Sequence, residues 1–278
     1  MRKLRRAGAA VAVVSLVLTV SAFSRGGTRA TVTLSPGGPM ITAAGQAGQA
    51  GPSRAARPGA RVIHSLNWAG YAANRAGTSF RYVSAAFFVP YLNCAAATPS
   101  YSSHWVGLDG LGSATVEQVG IEADCSGTTA QYYAWYEMYP NPVSAAFPVR
   151  PGNAIQASVT YQRSNRKFVL MLRDTSNGRH VAKALKCAAK ACLRSSAEVI
   201  SEAPSDGSKG ILPLADYRAA NYSGITVTTT RGRSSGLLSR RWDTYQIVGV
   251  GDSSDELAAQ PTSLFQGQAF SIYWFRAN

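Results

Sequence analysis

One glutamine, Gln118, lies among the first four carboxylates of the chain, in the stretch SHWVGLDGLGSATVEQVGIEADC (residues 103–125). The four carboxylates are Asp109, Glu117, Glu122 and Asp124. A carboxylate can take up and return a proton, and an amide N–H can stabilise negative charge that develops on oxygen. Neighbouring carboxylates also raise one another's pKa values, which suits proton transfer at low pH. The grouping therefore indicates an acid–base site around Gln118.

Strand alternation decides which of these side chains share a face. In the predicted strand Thr115–Ala123, Gln118 and Glu122 point to one side, while Val119 and Ile121 point to the other. The apolar side is expected to meet the core. Gln118 and Glu122 are therefore expected to face a groove or solvent.

Aromatic side chains accompany the carboxylates on neighbouring predicted strands. Trp105 shares a face with Asp109, and in YYAWYEMYP (residues 132–140) Trp135 shares a face with Glu137. Aromatic walls with embedded carboxylates suit a cleft that binds a polymer. A sheet whose polar face merely meets water fits the same pattern.

Other catalytic arrangements are poorly represented in the sequence. It contains neither G-x-S-x-G nor H-E-x-x-H, it has 3 histidines, and its DTS and DSS segments lack the glycine of aspartic peptidases. No glycine-rich phosphate loop follows a predicted strand. We therefore expect chemistry by carboxylates and amides, with no metal or other cofactor.

Five motifs occur in the order and approximate spacing found in the glutamic peptidases, or eqolisins, so that residues 64–275 resemble this family. They are NWAGY (67–71), WVGLDG (105–110), EQVG (117–120), AWYEMYP (134–140) and SAEVISE (196–202). The resemblance implies a sandwich of two curved antiparallel sheets. It also implies a secreted endopeptidase that cleaves polypeptides, with an acidic pH optimum.

The same resemblance implies a catalytic dyad of Gln118 and Glu202. Glu202 would take a proton from water and return it to the departing amine, while Gln118 would stabilise the oxyanion. The family's supporting residues fall on positions 105, 109 and 137, and we add Trp135 as an aromatic wall. Four residues after the glutamine the family often has aspartate, whereas this chain has Glu122.

Two other functions stay open at this point. A non-catalytic sandwich could bind polysaccharide or peptide through its aromatic face, because fold alone does not decide function. A glycosidase needs two carboxylates about 5–10 Å apart, and Glu137 and Glu202 are the candidates.

The elements that must position these residues are short strands rich in Val, Thr, Tyr, Phe and Trp, and we find no amphipathic helical stretch. Strands with short connections predict an all-β sandwich in a single domain. Whether Asp206–Arg241 covers the cleft as a lid stays open. The predicted strands are Asn67–Asn74, Phe80–Pro90, His104–Asp109, Thr115–Ala123, Ala130–Tyr139, Ala154–Gln162, Lys167–Asp174, Val181–Lys186, Glu198–Ala203, Gly224–Thr230 and Leu264–Phe275.

The N-terminal residues predict export. Residues 1–30 combine basic residues, a short apolar run and small residues near Ala22 and Ala30, as in a cleavable signal peptide. Residues 31–62 are rich in Gly, Ala and Pro and predict a flexible linker or pro-segment before the domain at 63–278. An oxidising compartment favours disulfides. Cys187 and Cys192 are close enough to close a hairpin, which leaves Cys94 with Cys125.

The formal charge of +14 does not predict a nucleic-acid partner. Residues 62–278 carry 19 basic and 14 acidic residues, and their cations do not cluster with aromatics as in nucleic-acid-binding proteins. We expect a monomer that acts on polypeptides and has no membrane span after signal cleavage. Arg54, Arg57 and Arg61 of the linker could lie against the acidic cleft and hold it closed at neutral pH.

Overall fold

The computed structural model describes residues 38–43, 59–95, 98–206, 210–251 and 256–277. Within these ranges the chain forms eighteen strands. They are β1 (Arg61–Ser65), β2 (Trp68–Asn74), β3 (Phe80–Phe88), β4 (Ser103–Leu108), β5 (Val116–Ser126), β6 (Thr129–Tyr139), β7 (Ser144–Pro148), β8 (Ala154–Gln162), β9 (Lys167–Asp174), β10 (His180–Leu185), β11 (Ser196–Glu202), β12 (Ser205–Asp206), β13 (Gly210–Ile211), β14 (Ala219–Thr229), β15 (Ser234–Ser235), β16 (Asp243–Val250), β17 (Leu257–Pro261) and β18 (Phe270–Trp274).

The strands form two layers that are joined at one edge. The first layer has the order β10-β9-β8-β3-β14-β18, and the second has the order β17-β16-β2-β11-β4-β5-β6-β7. Hydrogen bonds between β17 and β18 connect the two. Among the described pairs only β1 with β16 is parallel. The layers face each other, with β3 and β8 against β4 and β5. This architecture confirms the predicted all-β sandwich.

The main core lies between the layers. Val119 and Ile121 of β5 meet Val83 of β3 and Leu170 of β9 there, and all four are fully buried. Burying each such side chain stabilises the fold by about 1.5–3 kcal/mol. The apolar side of β5 thus faces the core, as the alternation predicts.

A central strand of the second layer, β16, was missed by the sequence interpretation. Its first half, Asp243–Gln246, is polar, and it becomes a strand because β2 pairs with it on one side and β1 on the other. The predicted strand Leu264–Phe275 is wrong in its first half, because a turn with positive φ at Gln266 and Gly267 precedes β18.

In its described residues, 206 and 210–241, the segment Asp206–Arg241 is part of the sandwich. It carries β14, which begins at Ala219 and pairs with β3 and β18 in the first layer. Ala215 and Tyr217 just before β14 are fully buried. The segment therefore contributes to the core.

Both predicted disulfides are confirmed. Cys94–Cys125 ties the loop after β3 to the end of β5, and Cys187–Cys192 closes the loop after β10. The predicted signal peptide, residues 1–30, lies outside the described residues. In the described ranges no helix is long and apolar enough to cross a membrane.

Candidate active site

The register of the second layer places the predicted site residues on one face. Across β11, β4, β5 and β6, one row contains Glu198, Gly107, Gln118 and Glu137. Four residues further along β11, another row contains the partners Glu202, Ser103, Glu122 and Tyr133. Because alternation sends every second residue to the same side, Gln118, Glu122, Glu137 and Glu202 share the face opposite the main core.

Glu202 is fully buried and accepts three N–H donors. Trp105 Nε1 donates to its Oε2 at 2.9 Å. Asn67 Nδ2 and the Gly38 N–H donate to its Oε1 at 3.2 Å and 3.3 Å. Burial raises the pKa of Glu202 to about 8, although these donors oppose the shift. A carboxyl with this pKa holds its proton through the neutral range.

Gln118 is oriented by Glu137. Gln118 Nε2 donates to Glu137 Oε2 at 2.6 Å, which uses one of the two N–H bonds of the amide. Burial raises the pKa of Glu137, and the charge of Glu202 raises it further, while the bond from Gln118 lowers it. In this structure no hydrogen bond joins Gln118 directly to Glu202. Glu137 thus connects the two residues, through a hydrogen bond with Gln118 and a charge interaction with Glu202.

Glu122 and Asp124 form a second carboxyl pair on the same face. Burial raises the pKa of both groups, and the charge of Asp124 raises that of Glu122 further. The Ser103 hydroxyl donates to Glu122 Oε2. The longer side chain of Glu122, where the family often has aspartate, is therefore held by the neighbouring strand β4.

Asp109 does not continue the alternation of β4. The strand ends at Leu108, and Asp109 has a φ of 68°. Its carboxylate accepts the backbone N–H groups of Arg194 and Ser195 at 2.6 Å and 2.8 Å. The expectation that Asp109 shares a strand face with Trp105 is therefore wrong. Asp109 holds the loop that leads into β11.

Two glycines allow close packing around Trp105 in the sheet. A Cβ on Gly120 would lie 2.5 Å from Trp105 Cβ, and one on Gly107 would lie 2.8 Å from Trp105 Cζ3. The ring meets Trp68 edge to face, with 5.0 Å between the ring centroids. The glycine of W-x-G, Gly107, is therefore small because the indole that holds Glu202 occupies that space, whereas Gly120 of Q-x-G is small because it packs against β4 at His104 and Trp105.

The segment Gly38–Ala43 covers this face. The carbonyl of Gly38 accepts from Trp68 Nε1 at 3.2 Å, and the Ile41 N–H donates to Asn67 Oδ1 at 2.8 Å. Gln118 and Glu202 each have 0% of their surface exposed. The expectation that Gln118 faces a groove or solvent is wrong, because its side chain is fully buried.

Sequence reasoning missed several residues of the site. Asn67 is part of the NWAGY motif and Asp124 is one of the four grouped carboxylates, but the sequence assigns a role to neither. Period-two alternation from Gln118 would have placed Asp124 on this face. No sequence signal we know would have found Ser103 or Gly38, because their positions depend on long-range pairing.

The fold and the site together define a class: an antiparallel sandwich that places a glutamine and a hydrogen-bonded glutamate on one buried face, as in a glutamic-type hydrolase. Residues 66–257 match the sequence model of the peptidase A4 family, and the chain therefore belongs to that family. It is a glutamic-type endopeptidase that acts on polypeptides, which confirms the predicted enzyme class.

Comparison with solved structures agrees with the fold. Scytalido-glutamic peptidase with a transition-state analogue inhibitor is 24% identical with a TM-score of 0.63, covering 76% of this chain and 98% of its own. SCP-B, an eqolisin in complex with the tripeptide Ala-Ile-His, is 23% identical with a TM-score of 0.60 and the same coverage. Aspergilloglutamic peptidase from Aspergillus niger is 17% identical with a TM-score of 0.54, covering 63% of this chain and 99% of its own. The sequence matches none of the curated proteins with which it was compared.

Proposed function

We propose that this protein is a secreted, monomeric peptidase that hydrolyses peptide bonds at acidic pH with Glu202 and Gln118. The observation that carries the proposal is the Glu202 carboxyl, buried on the same face as Gln118 and held through both oxygens by Trp105 and Asn67. The N-terminal sequence and the two disulfides support secretion.

In the proposed reaction, Glu202 takes one proton from a water molecule, and the oxygen of that water forms a bond to the scissile carbonyl carbon. The carbonyl oxygen becomes an oxyanion, which accepts the N–H of Gln118 that Glu137 does not use. Glu202 then gives its proton to the amide nitrogen, and the carbon–nitrogen bond breaks as the amine leaves. Glu137 keeps the amide of Gln118 in this orientation.

The pKa of Glu202 connects the reaction to the covering segment. With Gly38 against it, the carboxyl has a pKa of about 8 and is protonated in acid, so it cannot act as a base. When the segment leaves, water reaches Glu202, and renewed solvation lowers its pKa. An acidic optimum follows if the open site ionises Glu202 while Glu122 and Glu137 stay protonated.

Residues 31–62 act as an inhibitory pro-segment in this proposal. The contacts of Gly38 with Glu202 and Trp68, and of Ile41 with Asn67, support it. Of the three linker arginines expected to lie against the cleft, Arg61 pairs with Asp243 at 3.5 Å. Arg54 and Arg57 lie outside the described residues.

Removal of residues 31–58 is expected to give a peptidase that is active without a lag, since Glu202 is then open to water. The full secreted chain should be at least about tenfold less active until it is processed. A synthetic peptide of residues 38–43 (GPMITA) added to the processed enzyme should inhibit it. A control peptide with Ile41→Pro lacks the N–H for Asn67 and should bind about tenfold more weakly. Equal activity of full and shortened chains, with no inhibition by either peptide, would refute the pro-segment.

The proposed function is tested by digestion of denatured casein between about pH 2 and 7, with pepstatin and EDTA present. We expect cleavage on the acid side, reduced about 10²- to 10³-fold in Gln118→Ala because the oxyanion loses a donor. Gln156→Ala, which changes an exposed glutamine of β8, is the matched control and should keep full activity. A folded, processed protein that cleaves nothing would favour the non-catalytic binding module.

A further inference from the structure

A cavity of about 510 Å³ lies beside the candidate active site. Tyr136, Glu137 and Met138 of β6 form one wall, the following loop from Asn141 to Ser144 forms another, and the segment Leu185–Ala188 after β10 closes it. A volume of a few hundred Å³ is typical of ligand pockets. Glu137 contributes both to this cavity and to the contact with Gln118. The cavity therefore adjoins the strand that orients the dyad.

Two lysines line or overlook the cavity. Lys186 is part of its wall, and Lys183 Nζ lies 5.7 Å from the centre of the Tyr136 ring. Both lysines are exposed. The disulfide Cys187–Cys192 closes the loop that follows Lys186 and limits its movement. The cavity thus has a fixed cationic rim over a floor that includes Tyr136, Met138 and Leu185.

The charge of the stretch that carries these two lysines is one-sided. Residues 150–194 contain ten Arg or Lys residues and one carboxylate, Asp174. Asp174 is fully buried and accepts from Ser176 N and Asn177 Nδ2 in a turn. None of the ion pairs between described residues includes a member of this stretch. The ten are Arg150, Arg163, Arg166, Lys167, Arg173, Arg179, Lys183, Lys186, Lys190 and Arg194.

From this geometry we propose that the cavity binds an acidic segment of the polypeptide substrate. The proposal rests on the peptidase function proposed above and names the class of substrate that the site prefers: chains with Asp or Glu near the scissile bond. The apolar floor takes a neighbouring aliphatic or aromatic side chain, and the lysines attract the carboxylates. A cavity with two cations at its rim suits a short peptide better than a long polyanion, which needs a continuous track of cations.

The electrostatics of the two sites are complementary. The carboxyls around Gln118 are buried, and burial raises the pKa values of Glu122, Glu137 and Glu202, so at mildly acidic pH they repel an acidic substrate little. The cations of residues 150–194 are mostly exposed and attract it. Such a field raises the rate of encounter and weakens with salt.

The test uses the processed enzyme and paired peptides with one scissile core, flanked by Asp-Asp or by Asn-Asn. At about pH 6, where Asp is ionised, we expect kcat/KM to favour the acidic peptide about 3- to 10-fold, mainly through KM, and less at about 0.5 M salt. Lys183→Gln with Lys186→Gln should abolish the preference, because kcat/KM for the acidic peptide should fall to the value for the neutral peptide. Arg163→Gln with Arg173→Gln removes equal charge at two residues that do not line the cavity and should keep the preference.

Binding of the fluorescent acidic peptide to a catalytically inactive Glu202→Gln protein separates this proposal from the proposed function. Binding that the Lys183/Lys186 variant loses and the Arg163/Arg173 variant keeps supports the cavity, whether or not any peptide is cleaved. Equal losses in both variants overturn it, because the charge of the whole edge would then be responsible. Competition by dextran sulfate without any effect of the lysine variant would overturn it in favour of a polyanion surface.

Discussion

Replacing Glu202 by glutamine is expected to lower kcat about 10²- to 10⁴-fold, with little change in KM. The amide has the size of the carboxyl and still presents an oxygen to Trp105 Nε1, so the fold should be retained. It cannot take a proton from water or return one to the leaving amine. Its NH₂ group would also meet the donors of Asn67 and Gly38, so the covering segment should bind more weakly.

The matched control for this variant is Glu198→Gln. Glu198 lies on the same strand and face as Glu202, four residues away, and is also fully buried. It belongs to the row of Gln118 but has no hydrogen bond with Trp105 or Asn67, and we expect its variant to keep kcat within about threefold. Rates should be measured on processed enzyme with a peptide substrate, after circular dichroism has checked the fold. An active Glu202→Gln protein, or equal losses in both variants, would contradict the assignment of the general base.

The fold could be predicted because local patterns and long-range pairing agree along much of the chain. Strands β8 and β9 were predicted to the residue, since a polar/apolar alternation of the right length is bounded there by clear turn residues. Strand β16 carries little of this signal in its polar first half. It is held by pairing with β1 and β2, which local sequence does not show.

The site could be predicted only in part. Alternation placed Gln118 opposite the core side, and the resemblance to a family supplied Glu202. The contact between Gly38 and Glu202 joins residues 164 positions apart, and that between Asn67 and Glu202 joins residues 135 apart. No local pattern encodes such distances. The turn of Asp109 away from Trp105 depends on a left-handed backbone conformation that a non-glycine residue adopts uncommonly.

We expect the protein to be more stable to unfolding at about pH 4.5 than at about pH 8. Burial is the first cause that raises the pKa of six carboxyls above their ordinary values, and it raises that of Glu202 to about 8. The other five are Glu117, Glu122, Asp124, Glu137 and Glu198. In the unfolded chain these groups ionise near their usual pKa of about 4. Above that pH the folded protein binds more protons than the unfolded chain, so stability falls as pH rises.

His104 acts in the opposite direction. Burial lowers its pKa to about 3, so between about pH 3 and 6.5 the unfolded chain binds a proton that the folded protein does not. Stability from this group is lost as pH falls through that range. One imidazole therefore opposes six carboxyls. Stability should be greatest close to the unfolded pKa of the carboxyls and should decline towards neutral pH.

The size of the change in stability with pH can be estimated, because a shift of one pKa unit corresponds to about 1.4 kcal/mol. As pH rises from the ordinary pKa of a glutamate to about 8, Glu202 alone lowers the free energy of unfolding by on the order of 5 kcal/mol. This loss is comparable to the whole stability of many domains. The free energy of unfolding can be measured by urea unfolding between about pH 4 and 9. In Glu198→Gln one of the six groups no longer titrates, so the decline should be shallower than in the wild type. A free energy of unfolding that rises from pH 5 to pH 8 would contradict this prediction, because it would show that these carboxyls are ionised in the folded protein. Glu202, the base of the proposed reaction, would then already be charged under the covering segment.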